Sequence, residues 1–247
     1  MNIAVAGGTG RVGSKVVNRL RDTGHLVVPL SPSTGVDTLT RQGLPEALEG
    51  VTVVVDVTNS PSTDEAAARW FFETSTHNLL AGADQVGVEH YIVLSILGVE
   101  RIDTGYFRAK QAQEARVRQS GIPFTIVRTT QFFEFVMDIV DTATRDLAVH
   151  LAAVPVQPVA VSDVAAVIAH VATAAALNSA IEVAGREVFM LDELARQVLT
   201  AHHDDRQVIR ASRAPYLGAS LAPGDASLLP GFIVTPTTLA AWLGQPS

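Results

Sequence analysis

Tyr106 and Lys110 stand four residues apart in Tyr106-Phe107-Arg108-Ala109-Lys110, the spacing that puts two side chains on one face of a helix. A phenol that gives up its proton during hydride transfer works better with its pKa of about 10 lowered, and an adjacent ammonium favours the phenolate. A compact ammonium also suits a bond to a nicotinamide ribose, where a planar guanidinium is bulkier and differently directed. Lys15 and Lys110 are the sole lysines among 18 basic residues, which makes a lysine at this spacing more informative. Ser95 closes the apolar run Tyr91-Ile92-Val93-Leu94, where its hydroxyl is suited to orient a carbonyl. The competing reading is structural: Tyr106 packs on a sheet, Lys110 is solvated and Ser95 ends a strand.

A second constellation lies at the start of the chain. Ala6-Gly7-Gly8-Thr9-Gly10-Arg11-Val12-Gly13 follows a short apolar run directly and opens an amphipathic stretch. Glycines at this strand-to-helix junction permit a tight turn, close backbone approach to a diphosphate and close helix packing. The helix start then offers free amides to the anion. About 20 residues on, where an acid would bind both ribose hydroxyls of NAD, the chain reads Pro29-Leu30-Ser31-Pro32-Ser33-Thr34. With no acid to repel a 2′-phosphate, and with Arg11 and the hydroxyls of Ser31, Ser33 and Thr34 at hand, NADP is the expected cofactor and NAD stays open. Gly7, Gly8, Thr9, Gly10, Arg11 and Val12 are the expected diphosphate cradle, and Val57, Thr58 and Asn59 border the adenosine side.

The elements that must carry these residues are legible as period and punctuation. Residues 3–6, 26–30, 52–57, 91–94 and 124–127 are short runs rich in Val and Ile, and residues 12–21, 65–83 and 107–118 are helix-like. Alternation of this kind predicts an α/β fold, a doubly wound, mainly parallel sheet of the Rossmann type with strands buried on both faces. Residues 34–50 hold Gly35, Gly43 and Pro45 and predict a loop with at most a short helix. Ser162 is the expected N-cap of a helix over residues 164–176, and residues 181–184 form another apolar run. The expected division is a cofactor domain over residues 1–150 and a small substrate lobe or lid over residues 151–247, parts of which rejoin the sheet. Pro215, Gly218, Pro223, Gly224, Pro230, Gly231 and Pro236 make that last region irregular.

Composition narrows the function classes. A chain of 247 residues with 47% hydrophobic and 17% charged residues is globular, and its net charge of −7 with scattered basic side chains argues against nucleic acid and an anionic membrane. The Ala-rich stretch over residues 164–177 is too short to span a bilayer. The absence of cysteine removes disulfides, thiolate metal sites and cysteine nucleophiles. His202-His203-Asp204-Asp205 reads as a solvated helix end rather than a metal site, so no metal is expected. The opening residues lack a secretory pattern, and a cytoplasmic monomer or homodimer acting on a small molecule is the expectation.

Taken together, the residues 7–13 turn, Asp56-Val57-Thr58-Asn59, Leu94-Ser95-Ile96-Leu97-Gly98, Tyr106 to Lys110, and the run from Ile122 to Phe132 resemble the short-chain dehydrogenase/reductase superfamily. The likeness is strongest to its atypical, NmrA-like NAD(P)-binding branch, and Ser162-Asp163-Val164-Ala165 and Trp242-Leu243 share it. The resemblance implies an NAD(P)H-dependent reductase of a small carbonyl, quinone or dye-like acceptor, or a regulator that binds the nucleotide without turnover. In the reductase reading Tyr106, Lys110 and Ser95 are catalytic, and Gln131 and Phe132 face the substrate while the other phenylalanines of that segment pack in the core. A sugar-nucleotide epimerase is a weaker reading, because the region after residue 150 is small for a nucleotide-sugar lobe.

Overall fold

Asn2–Ala6, buried from Ile3 onward, forms strand β1 because four successive apolar side chains can be satisfied on a sheet covered from both sides. The computed structural model describes residues 1–211 and 232–245. After β1 come helix α1 (Arg11–Asp22), β2 (Leu26–Leu30), α2 (Leu44–Ala47), β3 (Val53–Asp56), α3 (Glu65–Val86), β4 (His90–Ile96), α4 (Gly105–Gln119) and β5 (Phe124–Thr129). The chain continues through α5 (Val136–Thr142), β6 (Thr144–Arg145), β7 (Ala148–Leu151), β8 (Pro155–Val156), α6 (Val161–Ala172), β9 (Ser179–Ala184) and β10 (Phe189–Met190). It ends with α7 (Leu191–Ala201), β11 (Gln207–Arg210), β12 (Ile233–Val234) and α8 (Leu239–Leu243).

Seven strands make one parallel sheet in the order β12-β9-β5-β4-β3-β1-β2. The order reverses between β1 and β3, and the crevice outside the carboxyl ends of the strands at that point is where such sheets bind ligands. One hydrophobic cluster joins the sheet to α1 and α6 through Val16, Leu20, Val164 and Ile168. A second joins the other face to α3 and α4 through Leu79, Leu80, Ala83 and Val117. The five early strands and three early helices thus stand where the apolar periodicity put them, to within a few residues. Residues 34–50 hold the single turn of α2 after a 3-10 turn at Pro32–Thr34.

Beyond β5 the sequence reading needs one adjustment. A third hydrophobic cluster packs Phe133, Val136, Val140 and Val149 with Leu191, Leu194, Val198 and Leu239. Its residues come from both sides of residue 150, and β9 and β12 join the main sheet. Ser162 is not the N-cap of α6: the helix starts at Val161, with Ala160 at the cap position. The acceptor comes instead from far away in the chain, since both carboxylate oxygens of Glu134 receive the Val161 amide, at 3.0 and 3.1 Å. Pro215, Gly218, Pro223, Gly224, Pro230 and Gly231, part of the expected lid, lie outside the described residues. Among the described residues no helix is long and apolar enough to cross a membrane, and no cluster of His, Asp or Glu could hold a metal ion.

Candidate functional site

The glycine turn is built by backbone contact. Gly7 donates to Leu30 O at 2.9 Å and takes φ +77°, a conformation that glycine adopts without a side-chain penalty. A Cβ on Gly13 would stand 2.1 Å from Gly7 O, so α1 can start this close to β1 only with glycine there. Gly10 precedes the first turn of α1, whose opening amides have no partner within the helix and face the crevice at the strand ends. Val57 closes against the turn, its carbonyl 3.0 Å from where a Gly7 Cβ would sit. Thr58 and Asn59 follow it, shaped by buried Asp56, whose Oδ1 accepts from Thr58 N at 3.0 Å and Thr58 Oγ1 at 2.6 Å. This cradle of amides, closed on one side by residues 57–59, fits a dinucleotide diphosphate.

At the end of β2 the expected hydroxyls form a set of their own. Ser31 Oγ lies 2.9 Å from Ser33 Oγ, Thr34 Oγ1 donates to Pro29 O at 2.9 Å, and Ser33 Oγ reaches Thr9 Oγ1 at 3.4 Å. Arg11 is not among them. Its guanidinium pairs with Asp138 on α5, donates to Glu134 O at 3.3 Å and lies 4.8 Å from the centre of the Phe135 ring. The sequence placed Arg11 near a 2′-phosphate; the structure turns it toward the segment after β5. In that segment Phe132 meets Phe135 edge to face at 5.5 Å, and Gln131 is half-buried. Phe133 turns the other way and stacks on Trp242 at 5.4 Å in the third hydrophobic cluster.

Tyr106 and Lys110 do share a face of α4, but their polar ends take different partners. The Tyr106 hydroxyl donates to Asn59 Oδ1 at 2.6 Å. The Lys110 ammonium is buried, donating to Leu94 O at 2.8 Å and to Gln113 Oε1. Phe72 of α3, fully buried, touches both: its ring meets Tyr106 edge to face at 5.6 Å and lies 4.4 Å from Lys110 Nζ. Burial pushes the Tyr106 phenol above its ordinary value, opposite to the lowering expected from a neighbouring ammonium. Burial also pushes Lys110 down to about 8, against the charges of Asp56 and Glu114.

Behind Lys110 runs a polar network that the spacing of residues did not reveal. Gln113 Nε2 donates to Asp56 Oδ2 and to Thr76 Oγ1, each at 3.1 Å, and the Tyr91 hydroxyl donates to the same Asp56 oxygen at 3.0 Å. Ser95 sits next to it at the end of β4, opposite Arg128 in register, with its hydroxyl buried and without a partner among the described residues. Arg128 itself is committed to Glu114 at 2.7 Å and Glu100 at 2.6 Å.

Known proteins share this architecture. The (4-alkanoyl-5-oxo-2,5-dihydrofuran-3-yl)methyl phosphate reductase of Streptomyces griseus is 35% identical over 144 residues, covering 53% of this chain and 48% of that protein. The photosystem II assembly factor Ycf39 of Synechocystis is 26% identical over 149 residues, covering 54% and 46%. The chain thus spans about half the length of the curated relatives it matches. Among solved structures, a nucleoside-diphosphate-sugar epimerase of Staphylococcus aureus superposes with a TM-score of 0.71 at 16% identity, over 99% of this chain and 100% of that one. The NADPH-dependent quinone oxidoreductase QOR2 of Escherichia coli, complexed with NADPH, gives 0.69 at 21%, over 85% and 79%. These two likenesses establish the fold. The profile of the NAD(P)H-binding family matches residues 7–175, the stretch that holds the glycine turn, Asn59, Tyr106 and the segment after β5, and the chain belongs to that family.

Proposed function

We propose that the chain is an NAD(P)H-dependent reductase of a small carbonyl, quinone or dye-like acceptor. The observation that carries this reading is the Tyr106 hydroxyl, held at 2.6 Å by Asn59, two residues beyond the Val57 carbonyl that closes on Gly7. A proton donor so placed stands at the rim of the coenzyme cradle. The Streptomyces reductase supports the same class of chemistry, and the quinone oxidoreductase fold is compatible with it.

A dihydronicotinamide held in this cradle would supply the hydride. The amides opening α1 hold the diphosphate, and residues 57–59 border the adenosine side. The hydroxyls of Ser31, Ser33 and Thr34 accept the adenosine ribose, with NADPH the preferred coenzyme and NADH allowed. Phe132 and Gln131 border the acceptor. Tyr106, kept as the neutral phenol by burial, gives its proton to the acceptor oxygen that becomes a hydroxyl, and the phenolate is reprotonated from solvent. Ser95 orients that oxygen, and Lys110 holds the ribose only after leaving Gln113.

A second reading, a coenzyme-binding regulator without turnover, is favoured by the commitment of Lys110 to Leu94 and Gln113. The two part on one experiment. NADPH and NADH are titrated, and the near-ultraviolet absorbance of the reduced coenzyme is then followed with quinones, dyes and aldehydes, using wild type and Tyr106→Phe. The reductase reading expects turnover of a carbonyl that falls by about 10²–10⁴-fold in Tyr106→Phe with coenzyme affinity retained. Tight coenzyme binding with no turnover on any acceptor overturns it in favour of the regulator.

A further inference from the structure

We propose that Asn59 and Phe72 are positioning residues for Tyr106: Asn59 aims the phenol, and Phe72 keeps the Lys110 ammonium from it. The assignment deepens the reductase reading and rests on it for its catalytic meaning, although the geometry is a property of the protein alone.

The aromatic ring of Phe72 is in contact with the ring of Tyr106 and with the ammonium of Lys110, and it is fully buried. Ala68 and Ala109 complete the cluster around it, and both are small and fully buried, so the ring is closely confined. A desolvated ammonium is attracted to an aromatic face, and here that attraction adds to the two hydrogen bonds that Lys110 donates to Leu94 O and Gln113 Oε1. All three engage the Lys110 ammonium with groups other than the phenol. On the other side the hydroxyl has a short bond to Asn59 Oδ1, an acceptor that takes a proton donor and offers the phenolate nothing from that atom. An acceptor in that position favours the protonated phenol. Tyr106 works as a neutral acid, and the ammonium four residues away is an anchor of the strand edge.

The test labels tyrosine at Cζ with ¹³C and follows the three tyrosine resonances against pH in the coenzyme-free protein, with Tyr106→Phe giving the assignment. Lys110→Met in the otherwise unchanged protein is expected to leave Tyr106 protonated over the same alkaline range. Phe72→Leu is expected to lower the phenol titration by a unit or more, and adding Lys110→Met to it should undo the shift. Asn59→Ala is expected to lower kcat by about tenfold with an acceptor, while NADPH affinity changes less. A Tyr106 titration that moves upward by a unit in Lys110→Met alone overturns the proposal, because the ammonium would then already act on the phenol. An unshifted phenol in Phe72→Leu overturns it too. If no acceptor is turned over, the reductase reading fails while the titrations still decide the positioning roles.

Discussion

Replacing Gly13 by alanine puts a carbon where there is no room for one. The new Cβ would lie 2.1 Å from Gly7 O, 2.7 Å from Gly7 C and 2.8 Å from Gly8 Cα. Non-bonded heavy atoms settle at about 3.5 Å, so the first turn of α1 and the glycine turn must part by roughly 1 Å. Overpacking costs about 1–3 kcal/mol, and because the atoms in the way are backbone with no rotamer to change, the upper end applies. For a chain of this size that lowers Tm by about 6–12 °C. The same separation moves the opening amides of α1 from the diphosphate, and losing one hydrogen bond to a charged group, worth about 1.5–3 kcal/mol, weakens coenzyme binding roughly 10- to 100-fold. Gly24→Ala is the control: Gly24 also has a positive φ, +85°, yet nothing lies within 4 Å of its would-be Cβ. It should cost about 1–2 kcal/mol of stability through backbone strain alone and leave the coenzyme affinity as it was. Scanning calorimetry and fluorescence titration with NADPH read the two effects. Binding by Gly13→Ala within about threefold of wild type would refute the argument that α1 is seated on the turn by this contact.

Other substitutions probe the frame around the site. Glu114→Gln takes the charge from a pair whose side chains are both 5% exposed, leaving Arg128 with Glu100, and should cost about 3 kcal/mol in denaturant unfolding; a loss under about 1 would mean the pair is dispensable. Burial holds His90 below its ordinary value of 6.5 in the folded chain, where it bonds Thr125 Oγ1 at 2.9 Å. The unfolded chain therefore binds the proton first: the contribution of His90 is complete above about pH 6.5 and is lost as pH falls toward the folded value. His90→Gln should flatten the fall of Tm below about pH 6.5, and an unchanged slope would count against it. Arg11→Ala should leave the ratio of NADH to NADPH dissociation constants within about threefold, because Arg11 faces Asp138 and Phe135; selective loss of NADPH would return Arg11 to the 2′-phosphate.

Much of the frame was legible because the signals are local. The strand at Asn2–Ala6, the turn at residues 7–13 and the helix from Arg11 each follow from neighbours within a few residues. The face shared by Tyr106 and Lys110 is legible for the same reason, being one turn of helix. What each side chain meets was not legible. Arg11 finds Asp138 at a separation of 127 residues, Glu134 caps α6 across 27, and Tyr106 finds Asn59 across 47. No period or local spacing encodes such pairs, since they arise when the sheet order brings distant loops to one edge. Phe72 illustrates the limit well. In Trp70-Phe71-Phe72 it reads as one aromatic of three on an amphipathic helix, and its contact with both Tyr106 and Lys110 depends on how α3 packs on α4.

Asp56 ties these long-range contacts together. One of its oxygens fixes the turn into Thr58 and so the approach to Asn59, while the other receives Gln113, which holds the Lys110 ammonium. The loop that receives the Tyr106 hydroxyl and the helix that carries Tyr106 thus meet at a single buried carboxylate. Arginine could not replace Lys110 in this arrangement: its fork of donors would need more acceptors than Leu94 O and Gln113 Oε1 provide, and a buried donor without a partner costs about 1–3 kcal/mol. A lysine retained in a chain otherwise rich in arginine is therefore explained by packing at the strand edge before any role toward the coenzyme is invoked.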